Sequence, residues 1–320
     1  MTIKSLSSSS LTNNVFYRSL LAGNARYRIP GVAGYVAGGR EGSNVSTVNK
    51  FAFPSDSRTT LGTGLSSGRY GPAGMSNSGV AGYAAGGTSG SRVATVDKFA
   101  FLDDSRTTLG TGLSSVNTFA AGISNSGVAG YVAGGDIGSV TNRVDKFAFP
   151  SDSKSTLATG LSSSRSGPTG MSNSGVAGYA AGGQYYATVD KFAFPSDSRT
   201  TLATGLSNAT YLPAGISNSG VAGYVAGGLT SGSTYISTVD KFAFPSDSRS
   251  TLGTGLSVSR AGIAGTSDSG VAGYAAGGLD SSSSFDTVDK FAFSTDSRST
   301  LTTGLSADRK YPAGFQNESV

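Results

Sequence analysis

The sequence predicts an all-β protein closed into a ring of six blades, each of four antiparallel strands. Three observations carry that expectation: a string that recurs six times, four strand-length segments within every copy, and glycine too frequent for helix. The string GVAGYxAGG begins at Gly31, Gly79, Gly127, Gly175, Gly220 and Gly270, at spacings of 48, 48, 48, 45 and 50 residues. A period in the forties belongs to a propeller, a solenoid or an array. Within each copy AGMSNSG, VAGYVAGG, TVDKFAF and TLGTGLS, or close variants, are short segments separated by Gly, Pro, Asn, Asp and Ser clusters. No stretch shows a 3.6-residue period, and 48 glycines in 320 residues would weaken helices throughout. Four strands per repeat is the blade of a β-propeller, and helical solenoids are excluded.

Each segment has a place in such a blade. The innermost strands converge near the axis, so AGxSNSG is small because little side-chain volume fits there. The third strand, VDKFAF, sets Val, Lys and Ala on one face and Asp and both Phe on the other. It lies where blades splay apart, so the six aromatic pairs are expected as core between blades. The aspartates Asp56, Asp104, Asp152, Asp197, Asp247 and Asp296 fall in SDSR-type turns, where Asp caps backbone N–H groups. The basic residue two positions on is expected to pair with that Asp or with a neighbouring blade. The first copy lacks the AGxSNS segment, and Tyr311–Val320 aligns with the missing piece. Residues 311–320 are therefore expected to form the innermost strand of the blade built from residues 31–66, leaving no unpaired edge. A seventh blade using residues 15–30 is the alternative.

An apolar strand ending in Gly-Gly, a V-D-K-aromatic segment, a polar turn and a fourth strand resemble the kelch repeat. Gly38–Gly39, Gly86–Gly87, Gly134–Gly135, Gly182–Gly183, Gly227–Gly228 and Gly277–Gly278 stand at its double glycine, and Phe51 and its equivalents at its Tyr. The kelch Trp is missing, with Leu61 and its equivalents near that place. The combination GYxAGG, VDKFxF and DSxTTLGTGL is similar to kelch-like repeats of bacteriophage virion proteins, cyanophages included. The resemblance covers residues 30–320. It implies a six-bladed kelch-like β-propeller in a virion, of tail or baseplate.

The chain has no Cys, His or Trp. That excludes disulfides, thiolate or imidazole metal sites, Ser–His or Cys nucleophile systems and a histidine proton shuttle. No cofactor or metal is expected. No apolar run reaches the roughly 18 residues of a membrane span, and the N-terminus has no apolar signal region. Residues 1–30 hold Lys4, Arg18, Arg26 and Arg28 with no acidic residue, whereas the remaining 290 carry 20 basic and 19 acidic groups. No basic stripe crosses the repeats, so nucleic acid is not expected as a partner. Residues 1–30 read as an arm, with Phe16, Tyr17, Arg18, Leu20, Leu21, Arg26 and Arg28 attaching it to other virion proteins; residues 31–320 read as the propeller.

The copies differ mainly in two loops, those after Gly-Gly and those after TGLS, and alternating strand direction places both on one face of the disc. Binding residues collect on loops held by a rigid scaffold. The candidates on this face are Arg69, Tyr70, Phe119, Arg143, Arg165, Tyr185, Tyr186, Tyr211, Tyr235, Arg260, Phe285 and Arg309, with Tyr311, Arg40 and Arg92 beside them. Tyr and Arg are enriched in protein contacts, and Tyr stacks on sugars. The expected function is a non-enzymatic tail component, a fibre, spike or tip, contacting host-surface glycan or protein and allowing a homo-oligomer within the particle. The alternatives are a head decoration or adaptor, a cellular kelch-like scaffold, and simple drift of surface loops. An enzyme would need carboxylates such as Asp136, Asp280 or Asp286 to act in pairs, and no signature surrounds them.

Overall fold

The computed structural model describes residues 32–318, which form a closed ring of six four-stranded antiparallel sheets. From the axis outward, blade 1 consists of Ala313–Asn317, Ala33–Ala37, Val48–Ala52 and Ser57–Thr60. The innermost strands of blades 2 to 6 are Ala73–Asn77, Ala121–Asn125, Thr169–Asn173, Ala214–Asn218 and Ala264–Asp268. The C-terminal strand closes the ring as expected: Ala33 pairs with Asn317, Tyr35 with Phe315 and Ala37 with Ala313. The arm residues Phe16, Tyr17, Arg18, Leu20, Leu21, Arg26 and Arg28, and the seventh-blade alternative, lie outside the described residues.

Six glycines surround the axis: Gly74, Gly122, Gly170, Gly215, Gly265 and Gly314. A Cβ on each would fall inside the carbonyl oxygen of the equivalent glycine one blade back, and the cycle closes from Gly74 onto Gly314. Two residues along, the Ser76 N–H donates to the Ser124 hydroxyl of the next blade at 2.8 Å, and Ser124, Ser172 and Ser217 continue the pattern. At the closure the Gln316 N–H donates to the Ser76 hydroxyl, so side-chain oxygens satisfy strand edges that have no ladder partner.

The second strand is wholly buried, as in AGYVA of blade 1, because it has neighbours on both faces and both edges. The third alternates, with Val48, Asn49 and Phe51 buried and Lys50 and Ala52 partly exposed. The fourth, SRTT, is a polar outer edge. Each core cluster spans two blades: Ala33, Tyr35 and Phe315 of blade 1 pack with Ala84, Phe99 and Phe101 of blade 2. Every second-strand Tyr stacks on the second Phe of the following blade, as Tyr83 does on Phe149 at 5.1 Å and, at the closure, Tyr274 on Phe53 at 4.7 Å. The aromatic pairs are thus core between blades, as expected.

The turn aspartates join neighbouring blades. All six adopt φ between 54° and 59°, a region Asp tolerates better than most residues. Each carboxylate accepts from the Tyr hydroxyl and Lys ammonium of the preceding blade: Tyr83 and Lys98 on Asp152 at 2.8 and 2.6 Å, and Tyr274 and Lys290 on Asp56. Burial raises the pKa of Tyr83, and the bond to Asp152 raises it further. The basic residue two positions on is not the partner of this Asp. Arg106 instead lies 3.5 Å from Asp97 of its own blade.

Blades also alternate in kind. Met75 of blade 2 packs with Val132 of blade 3, and Met171 of blade 4 with Val225 of blade 5. Between them Ile123 faces Ala180 and Ile216 faces Ala275. An unbranched Met accommodates Val, whereas branched Ile leaves room only for Ala. Replacing Gly122 with Ala should destabilise the ring by about 3 kcal/mol or more, since only backbone could yield. Gly253→Ala, with nothing within 4 Å of its added methyl, should change stability by under about 1 kcal/mol in the same denaturation series.

Candidate functional site

Both variable loops reach the same face, because they pair with one another. Tyr70, in the connection into blade 2, bridges Thr88, in the loop after that blade's Gly-Gly; Thr118 bridges Asp136, and Tyr211 bridges Leu229. The connection itself is pinned from below. The Ser66 N–H and hydroxyl both donate to Asp97 at 2.8 Å, and Arg69 places its guanidinium 2.9 Å from the same carboxylate. Asp190 and Asp289 hold Ser162 with Arg165, and Ser257 with Arg260, in the same way.

Those arginines require a correction. Arg69, Arg165, Arg260 and Arg309 are fully buried and hold loops in place, so they present nothing to an outside partner. Burial alone would raise the Asp97 carboxyl, yet Thr108, Ser66 and the Arg69 charge outweigh it and hold it below its ordinary range; Asp190 and Asp289 behave alike. Blade 1 has Asn49 in place of this Asp, and Arg309 turns to Glu41, 2.9 Å away in the hairpin of Arg40–Glu41 and Ser43–Asn44. The signal was readable: the one copy with Asn at this position is the one with a Glu in its loop.

The aromatic candidates converge in part. Tyr70, Phe119 and Tyr311 form a cluster with ring centroids 5.3 to 6.0 Å apart, and the Arg40 guanidinium lies 5.9 Å from the Tyr70 ring centre. Burial pushes the Tyr311 hydroxyl up to about 12, and the electrostatic influence of Tyr235, Tyr211 and Tyr70 raises it further. Tyr185 and Tyr186 are the exposed pair, and Tyr185 leans on Tyr211 at 5.5 Å. Phe285 is half-buried in its own loop, its N–H donating to Gly278. Arg143 is held by Ser115 and Asp145. Arg92 pairs with Asp136 at 2.7 Å. Asp280 accepts from Ser282 and Ser283 within its own loop.

Phe119 and Tyr311 of this cluster line the mouth of the axial channel, where a cavity of about 110 Å³ is floored by the glycine ring and walled by Pro72, Pro168, Pro213 and Pro312. No charged side chain lines it. The opposite mouth is lined by serines with Gln316 and Glu318. Burial raises the Glu318 carboxyl to about 7, and the Asp268 charge adds to the shift. Around that face Val80, Val128, Val176, Val221 and Val271 are about half exposed, an apolar ring not anticipated although SNSGV recurs in the sequence. Among the described residues no group of three acidic residues could hold a metal ion, and no helix is long and apolar enough to cross a membrane.

No protein-family model matches the chain, and no curated protein matches it.

Asp97→Ala strands a buried Arg69 charge and should cost about 3–5 kcal/mol in denaturant unfolding. The raised Glu318 pKa makes its contribution to stability complete below pH 4.5 and lost as pH rises through about 7. Glu318→Gln should therefore flatten the decline in denaturation midpoint across that window. The depressed aspartates carry the opposite sign: their contribution is present above about pH 3.8 and is lost only as pH falls through their lower folded values.

Proposed function

We propose that the chain is a non-enzymatic binding module, a rigid propeller that presents its variable loop face to a surface ligand. The observation that carries this reading is the concentration of non-repeating aromatic side chains on one face around one channel mouth, over a scaffold otherwise uniform from blade to blade. Loops fixed by buried ion pairs lose little conformational entropy on binding. The candidate carboxylates Asp136 and Asp280 are engaged in loop contacts, which favours binding over catalysis. On the strength of the kelch-like resemblance alone, we propose that the module is a bacteriophage tail fibre, spike or tip component meeting host-surface glycan or protein, with residues 1–30 as its attachment to the particle.

A second reading, a head decoration or adaptor, is favoured by the half-exposed valine ring of the opposite face. Exposed apolar side chains repeated from blade to blade on one face suit docking on another virion protein. Two experiments test these readings. Mass spectrometry of purified particles should find the chain; its presence in host cells but not in particles would overturn the virion assignment. Host-cell adsorption of the purified chain should fall at least tenfold when Tyr185 and Tyr186 are replaced by Ser, and unchanged adsorption would count against the loop face.

A further inference from the structure

The channel mouth is bounded by a closed ring of backbone hydrogen bonds. Six residues, one per connection, each donate an N–H to the carbonyl of the preceding one: Gly71 to Tyr311, Phe119 to Gly71, Gly167 to Phe119, Leu212 to Gly167, Gly262 to Leu212 and Tyr311 to Gly262, at 2.7 to 2.9 Å. All six have left-handed backbone, with φ of 65° to 70° at the glycines and 54° to 60° at Phe119, Leu212 and Tyr311. Glycine adopts this conformation freely, whereas an ordinary L-residue pays about 1–2 kcal/mol for it.

Three blades therefore show that glycine fits the position, and the alternate three carry bulky side chains against the backbone preference. Each bulky side chain reaches back over the glycine of the preceding blade. A Cβ on Gly71 would meet the Phe119 ring at 2.8 Å, and one on Gly262 the Tyr311 ring at 2.5 Å. The result is a rigid aperture of three side chains at alternate blades, opening on the cavity of about 110 Å³, many times the roughly 10–15 Å³ that admits one water. Strained non-glycine backbone that persists where glycine would serve is a mark of functional sites.

We infer that this aperture is a binding site for one neutral sugar unit, entering end-on along the axis. The chemistry of the walls selects that class. Aromatic faces at Phe119 and Tyr311 suit the C–H face of a pyranose, the hydroxyls of Tyr311 and Thr169 in the lining supply hydrogen bonds to its hydroxyls, and the cavity has no charged side chain to pair with a carboxylate or an amine. The inference rests on the binding reading above and narrows it: the non-reducing end of a glycan is held on the axis, while the exposed Tyr185 and Tyr186 meet the rest of the host surface.

The test titrates the full chain with methyl glycosides of glucose, galactose and mannose, and with methyl glucuronide as the charged comparison, using saturation-transfer NMR and calorimetry. At least one neutral glycoside should bind, and Phe119→Gly should weaken it at least tenfold. Phe119→Gly relieves the left-handed strain, and its fold is checked by thermal melting. Tyr311→Phe, which removes only a hydroxyl, should weaken binding about threefold or more, and Val176→Ser on the opposite face should leave it unchanged. Binding that survives Phe119→Gly and Tyr311→Phe but is lost on Tyr185→Ser overturns the axial site while leaving the loop face intact. Binding of none of the neutral glycosides, or of the glucuronide as tightly as the best of them, overturns the inference. Host-cell adsorption of the same protein then reports separately whether the loop face still binds.

Discussion

The approach of six innermost strands to one axis is the constraint from which the rest of the molecule follows. At the level of Gly74 and its equivalents there is no room for a Cβ, so carbonyl and Cα of neighbouring blades are in direct contact. Narrowness at the axis forces splay at the rim, because flat sheets radiating from a point diverge. The divergence is filled by size, with small residues inside, then Tyr on Phe between blades, then the Tyr–Asp–Lys contacts at the turns. Each layer joins one blade to the next in the same direction. A cycle of such contacts is complete only when the last blade meets the first, and the C-terminal strand does this.

Departures from the repeat concentrate where the chain closes on itself. Blade 1 carries Asn49 for Asp and recruits Glu41 to Arg309, and its innermost strand has Gln316 and Glu318 where other blades have serine. Blade 6 has Asp268 for Asn, and burial raises that carboxyl. Elsewhere neighbours compensate in volume, Met with Val and Ile with Ala, and the second-strand residue alternates between Val and Ala around the ring from Val36 to Ala275. An alternating order closes without mismatch only for an even number of blades, which six satisfies.

The two faces divide the work. One is nearly invariant, stitched by turn aspartates and edged by valines; the other holds every variable loop. Buried Asp–Arg pairs under the variable loops add little to net stability relative to apolar packing, since desolvation offsets their attraction. What they contribute is position: Arg69, Arg165 and Arg260 fix the connections that carry Gly71, Gly167 and Gly262, the glycine positions of the mouth. Strain stored at Phe119, Leu212 and Tyr311 is supported by that rigid surround.

Much of this was legible in one dimension. Repetition of GVAGY and VDKFAF specifies strand number and order, and the misplaced AGFQN segment specifies closure, because local pattern alone sets strand and turn. Glycine near the axis and Phe between blades follow from the same geometry. The variable loops were legible as a face, but not which of their side chains face outward. Arg69 and Tyr70 are adjacent in sequence, yet one is sealed against Asp97 and the other packs on the Phe119 ring of the next connection. The sequence by itself determined the ring, its blades and the identity of its core. Only the tertiary structure decided that the arginines are internal supports and that Phe119, Leu212 and Tyr311 meet at one aperture. The reason is that burial and convergence depend on neighbours in the next blade, and adjacency along the chain does not encode them.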